Sequence, residues 1–197
     1  MYREMKPVEI GGDMTDWIIE TDLRILNSLQ STVRCGFLDW FMPRFTSLGE
    51  KGWIYIAIAL ILLAIPAYRK WGASLATALM FGLIFGNMMI KNIVGRTRPY
   101  DLVGHFELLV DPLGDYSFPS GHTMAAFEFF VVVCMMPVKR RYKVIAGVCA
   151  ALMAFSRLYL YVHFPSDVLA GALLGSLFGF LGVRLVKAIL DKRNEME

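Results

Sequence analysis

Three short polar stretches hold the residues best suited to chemistry: "KNIVGRTRP" at 91–99, "PSGH" at 119–122 and "SRLYLYVHFPSD" at 156–167. Together they supply the cations Lys91, Arg98 and Arg157, the histidines His122 and His163, and the acid Asp167. Lys91 and Arg98 lie seven residues apart, about two helical turns, so they can share a face. Pro99 disfavours helix at Arg98 and ends the segment there. Arg157 stands inside an apolar run, where an unpaired charge is costly. Three cations gathered at one edge repel one another. An anionic ligand removes that repulsion, and guanidinium forks match phosphate oxygens.

Ser120 suits a helix N-cap. Backbone N–H groups at such an N-terminus bind phosphate, and Gly121 lets an anion approach closely. Asp167 follows His163 by four residues, across Pro165, in the first turn of a helix. Its carboxylate could hold the His163 Nδ1–H and leave Nε2 free and more basic. Each residue alone has a plainer use: snorkelling for Lys91, capping for Ser120, the helix dipole for Asp167. The whole set, with two histidines beside three cations, points to an acid and a nucleophile working on a phosphate.

Five apolar runs must position these residues. They cover 53–68, 72–90, 123–138, 144–162 and 168–190. Each is long enough, with its flanks, to cross a bilayer as helix, the form that satisfies its own backbone in lipid. Gly171, Gly175, Gly179 and Gly182 recur in the last run at a spacing that suits close helix packing. Ahead of the runs, Ile18, Ile19, Leu23, Leu26 and Leu29 fall at helical spacing among Asp16, Glu20, Asp22 and Arg24. That pattern predicts an amphipathic helix at the membrane surface. Residues 37–42 offer a second interfacial patch. The expected fold is therefore all-α: a polytopic bundle of about five transmembrane helices with an N-terminal interfacial helix. Its parts are an N-terminal amphipathic segment, 1–50, a membrane domain, 51–190, and a short tail, 191–197.

Composition agrees. The chain of 197 residues is 56% hydrophobic and 19% charged, with mean hydropathy +0.52. A net charge of only +3, not massed on one polar segment, gives no support to nucleic-acid binding. Cys35, Cys134 and Cys149 form no CxxC pair and read as packing residues. The N-terminus has no apolar core of a cleaved signal peptide. Arg69 and Lys70, then Lys139, Arg140, Arg141 and Lys143, then Lys187, Lys192 and Arg193 fall on one side of a five-span arrangement. That side is expected to be cytoplasmic, with the C-terminus, and the three polar stretches then meet at the outer edge. Asp101, Glu107, Asp111 and Asp115, with His105, are too irregularly spaced to read as a metal site and look like a solvated loop. Glu128, six residues after His122 and inside the third run, is an ionisable group at depth. It is a functional candidate by default but falls outside the site just described.

Lys-x6-Arg-Pro, Pro-Ser-Gly-His and Ser-Arg-x5-His-x3-Asp, in this order, resemble the signature of the type-2 phosphatidic acid phosphatase superfamily, which includes vanadium haloperoxidases. The match covers Lys91, Arg98, Pro99, Pro119, Ser120, Gly121, His122, Ser156, Arg157, His163 and Asp167. The resemblance implies a metal-independent lipid phosphatase without cofactor. In it His163 is the nucleophile and forms a phosphohistidine. His122 is the acid and then the base. Asp167 orients His163, and Lys91, Arg98, Arg157 and the Ser120–Gly121 backbone bind phosphate. Short five-span chains of this kind resemble bacterial undecaprenyl-diphosphate and phosphatidylglycerophosphate phosphatases. The expected substrate is a membrane lipid phosphate, undecaprenyl diphosphate first, with phosphatidylglycerophosphate or phosphatidate next. Phosphotransfer to another lipid uses the same chemistry. A lipid transporter would explain the spans but not the histidines, and haloperoxidase activity fits five spans poorly.

Overall fold

The computed structural model describes residues 14–104 and 107–196, and every regular element among them is helical. The part of the expected 1–50 segment before Met14, and His105, lie outside the described residues. Helices α1 (Met14–Val33) and α2 (Gly36–Ser47) lead through a 3-10 turn into α3 (Trp53–Ala64). Helix α4 (Arg69–Phe81) continues as a π-helix, Gly82–Ile90, and ends in α5 (Lys91–Val94). A short α6 (Pro99–Val103) precedes the loop to α7 (Gly121–Met135). Helices α8 (Arg140–Tyr159) and α9 (Pro165–Met196) complete the chain.

The expected bundle is present. Gly36–Ala64, Pro66–Val103, Arg140–Tyr159 and Pro165–Glu195 are long and apolar enough to cross a membrane, and Gly121–Met135 is a shorter apolar helix. Two boundaries differ from the expectation. The first apolar stretch begins at Gly36 rather than 53 and carries Pro43 within α2. Its break falls at Lys51 and Gly52, with φ of 51° and 73°, a left-handed turn that glycine adopts without strain. At the other end, α9 runs past residue 190 without interruption.

Helix α9 is the central staff, packed most extensively on α7 and α4. Its glycines allow this. A Cβ at Gly171 would lie 2.6 Å from the Ser120 carbonyl oxygen, and one at Gly182 would lie 2.7 Å from that of Ser74. Small residues let helix backbones meet where lipid supplies no hydrophobic drive. A cluster around Trp71, Leu75, Val132 and Val183 fills one end of the bundle. The other end is sealed by Leu23, Leu26, Met42, Tyr159, Tyr161 and Phe164.

Helix α1 buries Leu23 and Leu26 as its spacing predicted, while Trp17 and Ile25 are exposed. Asp22 departs from the expectation of a polar outer face: it is buried. The reason is its partners, described next.

Candidate active site

The polar stretches arrive from three elements and meet at one end of the bundle. Lys91 opens α5, the single α-helical turn after the π-helix. Gly95, with φ of 60°, then turns the chain so that Arg98 folds back beside it. The turn after α8 passes through Tyr161 at φ 59° and delivers His163 just before α9 begins. Gly121 and His122 open α7. Lys91, Arg98, Arg157, His163, Ser120 and Asp167 are all buried, while His122 is half-buried.

A single carboxylate spans two of the cations. Asp115 accepts from Lys91 Nζ at 2.6 Å and from Arg98 Nη2 at 2.6 Å. Burial pushes its carboxyl up, but Lys91 and Arg98 outweigh this and hold it down at about 2. Arg98 also donates to the carbonyls of Asp115 and Val162, at 2.8 and 2.7 Å, and its Nη1 lies 3.3 Å from His163 Nε2. Arg157 donates from Nη1 to Thr46 Oγ1 at 2.6 Å, and its buried Nε has no hydrogen-bond partner. A free N–H beside two other cations is a donor held ready for an anion.

The histidine–acid pair is more elaborate than expected. His163 Nδ1 and Asp167 Oδ2 are 3.7 Å apart, a Coulombic contact longer than a hydrogen bond. Asp167 Oδ2 instead accepts from Ser117 Oγ at 2.5 Å and from the Phe164 N–H at 2.9 Å. Ser117 Oγ lies 3.5 Å from His163 Nδ1, so the hydroxyl stands between the ring and the acid. Asp167 Oδ1 accepts from Arg96 at 2.6 Å. Arg96 also donates to Ser166 Oγ at 2.6 Å and to Asp22 of α1 at 2.8 Å, and it lies 3.9 Å from the Phe164 ring centroid. Ser166 Oγ closes the network with a short bond to Asp22. Burial pushes the His163 imidazole down, Arg98 and Arg157 push further, and Asp167 does not reverse it, leaving a value of about 3. At neutral pH the ring is uncharged, with a lone pair available.

Ser120 is the residue before α7, but its hydroxyl makes no capping bond to the backbone. It pairs with Thr123 Oγ1 at 2.9 Å, and its backbone N–H donates to the Asp167 carbonyl at 3.1 Å. Gly121 allows a close approach by Asn87: a Cβ there would lie 2.8 Å from Asn87 Oδ1. Four participants were not singled out from sequence. Arg96 lies inside the 91–99 stretch and Ser117 two residues before Pro119, and their closeness to Arg98 and Ser120 is the available signal. Asp115 was read as part of a solvated loop, and Asp22 as a polar face of α1. Asp22 is buried against Arg96, and Asp115 stays exposed while its carboxylate reaches the buried Lys91 and Arg98, because buried cations need partners. Among the described residues, no group of three or more His, Cys, Asp or Glu side chains is placed to hold a metal.

A cavity of about 1290 Å³ opens at this cluster and continues between α3, the α4–π segment and α7. Lys91, Arg98, His122 and His163 line its polar end, and Leu60, Leu63 and Leu83 its apolar end. The constellation is thus a cationic pocket, with two imidazoles, at the head of an apolar channel. Residues 71–191 match the PAP2 superfamily.

This chain belongs to the PAP2 superfamily. It is therefore a membrane phosphatase of the PAP2 kind. A Sulfolobus acidocaldarius protein named undecaprenyl-diphosphatase is 31% identical over 72% of this chain and 68% of its own length. Phosphatidylglycerophosphatase B of Bacillus subtilis is 36% identical over 76% of this chain and 75% of its own. The crystal structure of Aquifex aeolicus LpxE matches with TM-score 0.73 at 30% identity, covering 82% of this chain and 94% of that one. The transmembrane PAP2 phosphatidylglycerolphosphate phosphatase of Bacillus subtilis matches with TM-score 0.71 at 29% identity, covering 91% and 89%.

Proposed function

We propose that this PAP2 phosphatase hydrolyses phosphate from membrane lipids through a covalent phosphohistidine on His163. The observation that carries the reading is the position of His163 Nε2, 3.3 Å from Arg98 and at the polar head of an apolar cavity. The lone pair of Nε2 attacks phosphorus, and the bond from phosphorus to the lipid oxygen breaks. His122, as imidazolium, gives that oxygen its proton. Lys91, Arg98, Arg157 and the Gly121 N–H at the start of α7 hold the charged phosphoryl oxygens, while the Ser120 N–H is already donated to the Asp167 carbonyl. Neutral His122 then takes a proton from water, the water oxygen attacks phosphorus, and the P–N bond breaks to release phosphate. Ser117 and Arg96 hold Asp167, which orients His163.

The substrate range we propose is broad. Undecaprenyl diphosphate, expected from the sequence, has support in the name of the Sulfolobus relative. Glycerolipid phosphates have support in the name of the phosphatidylglycerophosphatase. The basic loops Arg69–Lys70 and Lys139–Lys143 support a reading in which the opposite, site-bearing end faces away from the cytoplasm. The test is phosphate release in detergent from undecaprenyl diphosphate, phosphatidylglycerophosphate and phosphatidate, with and without EDTA. The reading predicts release that survives EDTA and is lost in His163→Ala. Release that persists in His163→Ala would overturn the assigned nucleophile.

A further inference from the structure

The PAP2 site uses Lys91, Arg98, Arg157, His122 and His163 at the head of the cavity but gives no role to Glu128, deeper in it. Glu128 is 1% exposed, and its Oε1 has no hydrogen-bond partner. It lines the cavity from α7, on the stripe that also carries Gly121, Met124 and Ala125. Space is kept for it on the facing helix, because a Cβ at Gly82 would collide with the Glu128 carboxyl. A group that cannot find a partner in the protein, lining a channel otherwise apolar at this depth, is a group held for a ligand.

Depth identifies the ligand's chemistry. Glu128 lies six residues after His122, about 9 Å along the helix axis. Helical side chains lean toward the N-terminus, so its carboxyl rises toward the phosphate pocket and shortens that gap. A diacylglycerol phosphate places its acyl ester carbonyls one glycerol unit below the phosphate. A polyprenyl phosphate places only hydrocarbon there. In its acid form Glu128 offers one O–H donor, and an ester carbonyl is an acceptor without a donor of its own.

We propose that Glu128 forms a lipid subsite that donates a hydrogen bond to an acyl ester carbonyl of the substrate. It thereby selects glycerolipid phosphates over polyprenyl phosphates. The inference rests on the phosphatase reading above. It assigns the cavity a polar contact point below the phosphate, and it makes a bare hydrocarbon chain the poorer occupant. A polyprenyl chain in the same channel offers no acceptor and gains no hydrogen bond there.

The test compares three lipids with the purified full-length protein in detergent: dioleoyl phosphatidate, its dialkyl ether analogue and undecaprenyl phosphate. The ether analogue differs from the ester only in lacking the carbonyls. Wild type should show kcat/KM about tenfold lower for the ether than the ester, the worth of one hydrogen bond lost in a buried site. Glu128→Leu should lower kcat/KM for the ester by a similar factor, mostly through KM, and leave undecaprenyl phosphate within about twofold. Glu128→Gln keeps an N–H donor and should retain the ester preference. Equal turnover of ester and ether by wild type would overturn the subsite, and this arm needs no variant to fold. So would a Glu128→Leu protein that loses all three lipids in the same proportion. Release that survives His163→Ala would instead count against the phosphohistidine reading, so the two failures are distinguishable.

Discussion

Asp115 bridges two of the cations that the proposed mechanism assigns to phosphate, with Lys91 and Arg98 each 2.6 Å from its carboxylate oxygens. Its side chain is 55% exposed, so it can swing out as a substrate enters. Asp115→Asn keeps the shape and removes the competing charge. It should lower KM for a lipid phosphate by about two- to fivefold, the range for a partly exposed charge pair, with kcat little changed. Michaelis kinetics in detergent check this, and a raised KM would mean that Asp115 positions the cations instead. His163 yields a pH prediction. Its imidazole is held at about 3 in the folded protein, against 6.5 ordinarily. Between these values the unfolded chain binds a proton that the folded one does not. Folded stability is therefore complete above about 6.5 and is lost as pH falls toward 3. Melting temperatures of wild type and His163→Asn between pH 8 and pH 4 check it: the variant should lose less on acidification. The gathering of Lys91, Arg98, His122, His163 and Asp167 at one end of the bundle was legible in sequence because polar residues stand out in an apolar chain. Asp22 and Asp115 were not, because their partners are fixed only by the fold. Asp22 meets Arg96 from 74 residues away.

At the scale of elements, the apolar runs were legible and their interruptions were not. The run at 72–90 reads as one uniform helix, yet from Gly82 to Ile90 it is a π-helix. π-helical segments are frequent at functional sites, and nothing in the hydrophobic period marks one. This segment brings Asn87 against Gly121 and Gly82 against Glu128. The glycine stripe on α9 was legible as packing, and Gly175 shows its cost most directly. A Cβ there would collide with the Met124 carbonyl of α7, a backbone atom that cannot rotate away. Gly175→Val should destabilise the bundle by about 1–3 kcal/mol, the usual range for overpacking. The comparison is thermal unfolding in detergent against Gly36→Val, where no atom lies within 4 Å of the added Cβ.

For the whole molecule, the architecture joins two environments at one point. An apolar channel and a cluster of buried cations meet at its head, and the proposed function gives the channel to a lipid tail and the cations to its phosphate. Helix α1 closes that end, since Asp22 and the buried Leu23 and Leu26 tie it to the network around Asp167. The account stands on a covalent step at His163. The most direct measurement is a rapid acid-free quench of the protein with a lipid carrying radiolabelled terminal phosphate, followed by mapping of the labelled peptide. Label is expected on His163, stable in alkali and lost in acid, forming quickly in wild type, more slowly in a His122→Ala protein that lacks the acid for that step, and not at all in His163→Ala. Turnover of the lipid with no label on His163 in either wild type or His122→Ala would contradict it.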